Sequence, residues 1–357
     1  MSRPRVRDDL RALEGYHSPQ VEVEVRLNTN ESPEPPPAAW RDAFAAELSR
    51  VNWHRYPDRA ASALRGAIAD LHSVAPDQVF AANGSNEVLQ TLLLAYGGPG
   101  RVALTFEPTY QLHSHIARLT ATEVLEAERT SEFALDLDVA QQAIAQASPA
   151  ITFLCSPNNP TGMVETEATV RAVASWAPGL VVVDEAYGQF APWSALTLVD
   201  EDLPLVVTRT FSKTWSMAAA RLGYLVGPSW LVAELEKVVL PYHLDTAKQI
   251  AGVLALTFVD EMEDRIARVV AERERLVEGL SDLGAHVWPS GANFVLFRFA
   301  RLGEARSGDA IWQGLLDRSV LIRNCASWPR LDDCLRVTVG TADENDRFLK
   351  ALTEVVA

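Results

Sequence analysis

Residues 208–224, TRTFSKTWSMAAARLGY, bring together side-chain types that can do chemistry. The hydroxyls of Thr210 and Ser212 come just before Lys213, and Arg221 follows eight residues after that lysine. A lysine amine can form an imine with an aldehyde, and burial near other cations lowers its pKa and makes it nucleophilic. A strand, a polar turn and a helix with solvated cations would explain this stretch equally well. The rest of the chain has to decide between the two interpretations.

Polar clusters also follow other apolar runs of the chain. NGSNE follows QVFAA, EPTY follows RVALTF, SPNNPTG follows AITFLC, and DEAY ends the run GLVVV, much as TFSK follows LPLVVTR. In open α/β sheets, ligands bind outside the carboxyl ends of the strands. We therefore expect these clusters to deliver a phenol, an amide, a carboxylate, an amine and hydroxyls to one edge of a sheet.

This set of groups predicts a pocket for pyridoxal 5′-phosphate. Asp184 ends an apolar run, and a buried carboxylate needs a cationic partner such as a protonated pyridine nitrogen, which makes the ring an electron sink. Lys213 would bind the aldehyde, Tyr110 would cover the ring, and Asn159 and Tyr187 would hydrogen-bond its phenolic oxygen. The predicted phosphate site comprises a helix start and three polar side chains: Gly84, Ser85, Asn86, Thr210, Ser212 and Arg221.

Each of these clusters alone has an ordinary structural explanation. Asp184 could cap a helix or a turn, and Tyr110 could belong to the core. NGSNE could be a capped helix start, and SPNNPTG could be a turn. The pyridoxal phosphate hypothesis depends on their joint occurrence at successive strand ends.

The order of elements predicts an α/β fold. Near-continuous apolar runs alternate with helical patterns such as NEVLQTLLLAY and EATVRAVASWA, which indicates a largely parallel sheet flanked by helices. After about residue 245 the pattern becomes mostly helical and then mixes strands and helices. We predict an N-terminal arm over 1–40 that contributes to the small domain and the interface, a large cofactor-binding domain over 41–245, and a smaller α+β domain over 246–357.

The composition of the chain excludes several classes of partner and site. The chain has 357 residues, of which 48% are hydrophobic, and a net charge of −15, which argues against nucleic acid or an anionic membrane as a partner. Its apolar runs are shorter than a membrane span, and its first residues lack the apolar core of a signal peptide, so we expect a cytoplasmic protein. Three cysteines without metal-ligand spacing predict buried thiols and no metal site.

Several motifs together resemble those of the histidinol-phosphate aminotransferases, which are fold-type I pyridoxal-phosphate enzymes. SPNNPTG, VVVDEAY and TFSKTWSMAAARLGY are similar to motifs of the wider aminotransferase superfamily, whereas RLNTNE, YPD and CLRVTVGT resemble this family more specifically. The resemblance extends from about residue 10 to the C-terminus. It implies amino-group transfer between L-histidinol phosphate and 2-oxoglutarate, giving imidazole acetol phosphate and glutamate in histidine biosynthesis.

The resemblance also implies residue roles. Lys213 would move a proton as well as bind the cofactor, with Asp184 and Tyr187 as its catalytic neighbours. Tyr56 of RYPD would reach the cofactor phosphate of a second subunit, which implies a homodimer with shared active sites. The implied substrate contacts are Tyr16, Asn30, Arg323 and Arg336.

Two departures from the family pattern leave alternatives open. Ser32 lies where the family usually has a second asparagine, and LIRNCASWPRLDDC also resembles threonine-phosphate decarboxylases. A decarboxylase of that kind or an aromatic amino acid aminotransferase would use the same cofactor on the same fold. The effector domain of a transcription regulator is a further alternative, but the first 40 residues do not resemble a DNA-binding segment.

Overall fold

A seven-stranded sheet carries the polar clusters predicted from the sequence. The computed structural model describes residues 4–11, 13, 15, 21–300 and 307–357. In spatial order the strands are β2 (Val79–Ala82), β8 (Gly223–Val226), β7 (Leu205–Thr210), β6 (Leu180–Asp184), β5 (Ile151–Cys155), β3 (Val102–Glu107) and β4 (Glu123–Glu128). Only β8 runs antiparallel to its neighbours in this sheet, so the carboxyl ends of the other strands meet at one edge.

The strands are buried on both faces because helices cover the sheet on each side. Alternate side chains of β6 point to opposite faces: Val182 packs with one helical layer, and Val181 and Val183 pack with the other. The first layer contains α3 (Ser85–Tyr96), α4 (Leu112–Leu119) and α7 (Ser229–Val238), and the second contains α5 (Leu137–Ala147) and α6 (Glu167–Trp176). The predicted α/β fold with a mostly parallel sheet is confirmed.

A third apolar cluster lies at the β2 and β8 edge of this sheet. It joins Val79 and Tyr224 of those strands to α1 (Ala38–Ser49), α2 (Ser62–His72) and α8 (Thr246–Ala255). The helix α1 therefore packs against α8, which lies about 200 residues later in the chain.

A second, five-stranded sheet collects the C-terminal strands and one N-terminal strand. Its order is β1 (Val25–Leu27), β11 (Val320–Asn324), β12 (Leu335–Thr338), β10 (Phe294–Phe299) and β9 (Ala285–Val287). The strand β1 pairs in parallel with β11, and the other pairs are antiparallel. The helices α9 (Val259–Asp282), α10 (Gly308–Leu316) and α11 (Ala342–Val356) pack on this sheet. The division of the chain at residues 40 and 245 stays a prediction.

Two strands of the larger sheet are missing from the sequence-based interpretation. The strand β8 follows a short 3-10 helix at Ala218–Ala220 rather than a polar turn and an α-helix. Its four residues are too few to give a periodic signal. The edge strand β4 has the sequence EVLEAE, whose charges are typical of an exposed edge and hide its strand character.

Two further findings concern the membrane and the cysteines. Within the described ranges, no helix is both long and apolar enough to cross a bilayer. Cys155, Cys325 and Cys334 are buried free thiols.

A close backbone contact fixes the position of the turn between β2 and α3. A Cβ atom added at Gly223 would lie 2.3 Å from the Ser85 nitrogen and 2.6 Å from the Gly84 carbonyl carbon. Only glycine leaves room for this turn to lie directly against β8.

We predict that Gly223→Ala destabilises the protein and displaces this turn. Both clashing atoms belong to the backbone, so the free energy of unfolding should fall by about 1–3 kcal/mol, as overpacked cores usually show. Thermal and denaturant unfolding measure this change. Gly66→Ala in α2 is the matched control, because an added Cβ there meets nothing within 4 Å. Equal stability of the two variants would contradict the prediction.

Candidate active site

One cavity lies at the carboxyl ends of the parallel strands and is closed on its far side by the five-stranded sheet. It brings together most of the residues predicted from the sequence: Asn30, Ser85, Asn86, Tyr110, Asn159, Asp184, Tyr187, Thr210, Ser212, Lys213, Arg221, Arg323 and Arg336. Gly84 is the residue before α3 and lies next to the cavity wall at Ser85. The strand-end clusters therefore converge, as expected from the parallel sheet.

Among the described residues, Tyr56 is a predicted site residue that does not line this cavity. Tyr56 is 80% exposed and stacks on Tyr242 with the ring centroids 4.5 Å apart. Tyr16 lies outside the described residues. Ser32, at the departure from the family pattern, accepts a hydrogen bond at 2.7 Å from the hydroxyl of Ser216, three residues beyond Lys213.

The amine of Lys213 lies among backbone carbonyls and cations. Its Nζ donates to the carbonyl oxygens of Thr29 at 3.2 Å and Asn30 at 2.6 Å. Burial lowers the pKa of Lys213 to about 7, and the guanidinium groups of Arg336 and Arg221 also lower it, against the opposing effect of Glu31. A lysine with this pKa carries a large neutral fraction near pH 7, which an amine needs to attack a carbonyl carbon.

Asp184 is buried and held from behind by a histidine. Its Oδ2 lies 2.9 Å from Nε2 of His113, and its Oδ1 accepts a hydrogen bond at 3.1 Å from the backbone nitrogen of Ala186. The His113 ring in turn stacks on Phe153 with the centroids 4.8 Å apart. This arrangement fixes the direction of the carboxylate toward the cavity.

Sequence reasoning missed His113. It lies three residues after Tyr110 in the sequence EPTYQLH, which extends the predicted cluster EPTY, and its backbone nitrogen donates to the Tyr110 carbonyl at 3.0 Å. Residues three apart in a helical turn share a face, so this spacing is the signal that would have placed His113 beside Tyr110.

A cradle for an anion lies at the start of α3. Gly84 has φ of +81°, and a Cβ there would lie only 2.8 Å from Nη2 of Arg221. The Arg221 guanidinium donates to Ser212 Oγ at 3.2 Å, and Thr210 Oγ1 donates to the same oxygen at 3.0 Å. The free N–H groups of the twelve-residue helix α3 add a positive dipole end. A phosphate group fits this combination of charge, hydroxyls and open backbone.

Two tyrosines line the space between the amine and the cradle. Tyr110 donates from its hydroxyl to Asn86 Oδ1 at 3.2 Å. The Tyr187 hydroxyl accepts from Asn30 Nδ2 at 3.0 Å, and burial raises the pKa of Tyr187 to about 12. Tyr187 therefore stays protonated at neutral pH and can donate a hydrogen bond to an oxygen in the cavity.

Two arginines of the five-stranded sheet make the opposite end of the cavity cationic. Arg323 and Arg336 lie directly opposite each other on β11 and β12. Arg336 donates to Asn159 Oδ1 and, at 2.9 Å, to the carbonyl of Asn28. Asn159 and Arg336, which the sequence assigned to different ligands, therefore contact each other. The planar guanidinium suits a carboxylate or a phosphate equally well.

Comparison with known proteins places this geometry in a family. The model of the family "Aminotransferase class I and II" matches residues 22–352. The chain belongs to this family. It is 47% identical to the histidinol-phosphate aminotransferase of Thermobifida fusca (strain YX) over 97% of this chain and 94% of that protein. It is 46% identical to the histidinol-phosphate aminotransferase of Rhodococcus opacus (strain B4) over 99% of this chain and 93% of that protein.

Solved structures agree with the fold of this aminotransferase. The histidinol-phosphate aminotransferase of Sinorhizobium meliloti, solved in complex with pyridoxal-5′-phosphate, superimposes with a TM-score of 0.89 at 23% identity and covers 99% of this chain and 97% of its own. That of Clostridium acetobutylicum gives a TM-score of 0.85 at 21% identity, with 93% and 99% covered. The family, the fold-type I architecture, the aminotransferase class of enzyme and its cofactor, pyridoxal phosphate, are as predicted from the sequence.

We predict that the protein without cofactor captures pyridoxal phosphate covalently with a pH dependence set by Lys213. The neutral amine is the reactive form, and a pKa of about 7 makes its fraction rise about tenfold from pH 6 to pH 8 and then level off. Stopped-flow absorbance of the bound cofactor measures the rate. Lys213→Arg is the control and should capture none covalently. A rate that keeps rising steeply up to pH 10 would show an ordinary lysine pKa.

Proposed function

We propose that this aminotransferase moves an amino group between L-histidinol phosphate and 2-oxoglutarate, giving imidazole acetol phosphate and glutamate. The observation that carries the proposal is the 47% identity, over nearly the whole chain, to a relative named for this activity. The cationic end of the cavity supports it, because both substrates bring an anionic group there.

In the proposed reaction, one group of the described residues would hold the cofactor and another would hold the substrate. When bound, pyridoxal phosphate supplies an aldehyde carbon for the amino group and a ring that accepts electrons. Asp184 would hold the ring nitrogen, Tyr110 would cover the ring, and Asn159 and Tyr187 would hold the ring oxygen. The phosphate would lie in the cradle made by Gly84, Ser85, Asn86, Thr210, Ser212 and Arg221.

Lys213 is the proposed base for proton transfer. The Lys213 amine would accept and return the proton that moves during transamination. Its pKa of about 7 suits both directions near neutral pH, because neither protonation state is strongly favoured.

The substrate would lie between Lys213 and the two arginines. Arg336 and Arg323 would hold its phosphate or carboxylate, and Asn30 would position it from the loop after β1. Tyr16 is assigned to the same group of contacts on the basis of sequence alone. A phosphate and a carboxylate can use the same guanidinium groups in turn, as a reaction with two alternating substrates requires.

The test of the proposal is a substrate panel with single-turnover spectroscopy. We expect rapid amino-group transfer from L-histidinol phosphate and from glutamate, and slower transfer from aromatic amino acids. Efficient release of CO₂ from threonine phosphate with negligible turnover of histidinol phosphate would replace the proposed reaction by decarboxylation.

Arg336→Ala tests the anion site within the same assay. Loss of a charge-assisted pair costs about 1.5–3 kcal/mol, so kcat/KM should fall at least about tenfold for both substrates. Cofactor absorbance of this variant reports separately on whether pyridoxal phosphate is still bound.

We also propose a homodimer in which Tyr56 completes the active site of the second subunit. Large apolar side chains are exposed together near Tyr56: Trp53 is 67% exposed, Leu240 76% and Tyr242 42%. Contiguous exposed aromatic surface of this kind is typical of protein interfaces. The stacking of Tyr56 on Tyr242 links the two segments that carry this surface.

A subunit-mixing experiment tests this arrangement. Tyr56→Phe subunits keep Lys213, and Lys213→Ala subunits keep Tyr56, so a mixed dimer should contain one site with both residues. We expect that site to bind pyridoxal phosphate as tightly as the wild type, and the Tyr56→Phe homodimer to bind about tenfold more weakly. A mixed dimer as weak as the Tyr56→Phe homodimer, or an active monomer by ultracentrifugation, would overturn the proposal.

A further inference from the structure

The segment 325–334 connects the two strands that carry the cavity arginines. It is a compact turn in which the backbone nitrogen of Cys325 donates to the Cys334 carbonyl at 3.0 Å and that of Trp328 donates to the Cys325 carbonyl at 2.9 Å. Arg323 lies two residues before this segment and Arg336 two residues after it. The position of the segment therefore bears directly on both arginines.

Arg336 is held by hydrogen bonds to Asn159 and Asn28 and by a contact of its guanidinium carbon with the Phe294 ring, 5.1 Å from the ring centre, whereas Arg323 is held by an aromatic contact. The Arg323 guanidinium carbon lies 4.8 Å from the centre of the Trp328 ring, which is a cation–π contact. Its buried Nε has no hydrogen-bond partner among the described residues. Arg336 lies directly opposite on β12, and like charges facing each other across two strands repel. The aromatic face of Trp328 is therefore a contact that can offset this repulsion and hold Arg323 at the cavity.

The segment is docked onto the seven-stranded sheet as well. The Arg330 guanidinium donates to the carbonyl oxygens of Arg129 and Thr130, the latter at 2.9 Å, just after β4 ends. Arg129 is itself anchored by a buried ion pair with Glu165 at 2.6 Å. The apolar side chains of the segment pack with residues from both sides of the cavity: Phe133, Trp288, Leu296, Cys325, Trp328, Leu331 and Cys334.

We propose that Trp328 and Arg330 are positioning residues for the anion site. Arg330 docks the segment 325–334 onto the end of β4, and Trp328 holds the Arg323 guanidinium at the cavity wall. The proposal rests on the proposed function in one respect, namely that Arg323 binds the anionic group of the substrate. It makes the affinity for that anion depend on an indole ring that lines the cavity and whose buried nitrogen has no hydrogen-bond partner among the described residues.

The experiment compares variants of the holoenzyme that change the aromatic face but keep an apolar side chain. Trp328→Leu removes the π face, and Trp328→Phe keeps a smaller one. Trp288→Leu is the matched control, because Trp288 belongs to the same cluster and has its own cation–π contact with Arg298 at 5.6 Å, away from the cavity.

Titration calorimetry with succinate, a dicarboxylate that cannot react, reports on the anion site without turnover. Loss of a partly desolvated cation–π contact should raise the Kd for succinate about three- to thirtyfold in Trp328→Leu, and less in Trp328→Phe. Trp288→Leu should stay within about twofold of the wild type. Equal Kd values for Trp328→Leu and Trp288→Leu would overturn the proposal.

Steady-state kinetics adds a second measurement that a general structural defect would not reproduce. We expect Trp328→Leu to raise KM for histidinol phosphate while kcat and the KM for unphosphorylated histidinol change little. A fall in kcat with both amines would point to distortion of the site and contradict the positioning role. If the wild type does not turn over histidinol phosphate, the proposed function fails, and the succinate titration still decides the role of Trp328.

Arg330→Ala tests the docking contact. It also replaces Trp328→Leu as the test variant if Trp328→Leu does not fold. Its Kd for succinate should rise in the same direction as in Trp328→Leu. Arg318→Ala is its control, since Arg318 also donates to a backbone carbonyl, that of Gly314 at 3.0 Å, but lies away from the cavity. No difference between the two arginine variants would refute the docking role of Arg330.

Discussion

The contact between the Lys213 amine and the loop after β1 is the interaction on which the rest of the site depends. This loop belongs to the five-stranded sheet, whereas Lys213 follows β7 of the seven-stranded sheet. Asn30 has φ of +54° and also contacts Tyr187 and Thr338, so one residue links the amine, a cavity tyrosine and β12. The same closure that buries the amine lowers its pKa, because desolvation disfavours the charged form.

The charge of the cavity is opposite in sign to the net charge of the protein. The net charge is −15, yet the described lining of the cavity contains Lys213, Arg221, Arg323 and Arg336 and, as its one carboxylate, Asp184. Concentrating cations in a partly desolvated space strengthens their attraction for an anionic ligand. Acidic side chains on the outer surface weaken this attraction little, because charges exposed to solvent are screened by salt more strongly than charges inside a cavity.

At the ends of β6 and β7, successive side chains alternate between facing the cavity and forming a buried ion pair. Asp184 and Thr210 face the cavity, whereas their neighbours Glu185 and Arg209 form a buried ion pair at 2.7 Å on the other side. Glu185 also accepts from the backbone nitrogen of Ala195 at 2.6 Å, which ties the end of β6 to the following loop. Buried pairs of this kind fix geometry more than they add stability, and here they hold two strand ends in register.

The fold class, the family and the strand-end clusters that line the cavity could all be predicted from the amino-acid sequence. Continuous apolar runs reveal strands buried on both faces, and a polar residue after such a run must lie at the carboxyl edge of a parallel sheet. The contacts of His113 with Asp184, of Arg336 with Asn159 and of Trp328 with Arg323 became visible only in the folded structure. The last two contacts depend on how the two sheets face each other and on how an irregular segment folds back on its strand. Neither leaves a periodic or local signal in the chain, because the partners meet only after long-range packing is complete.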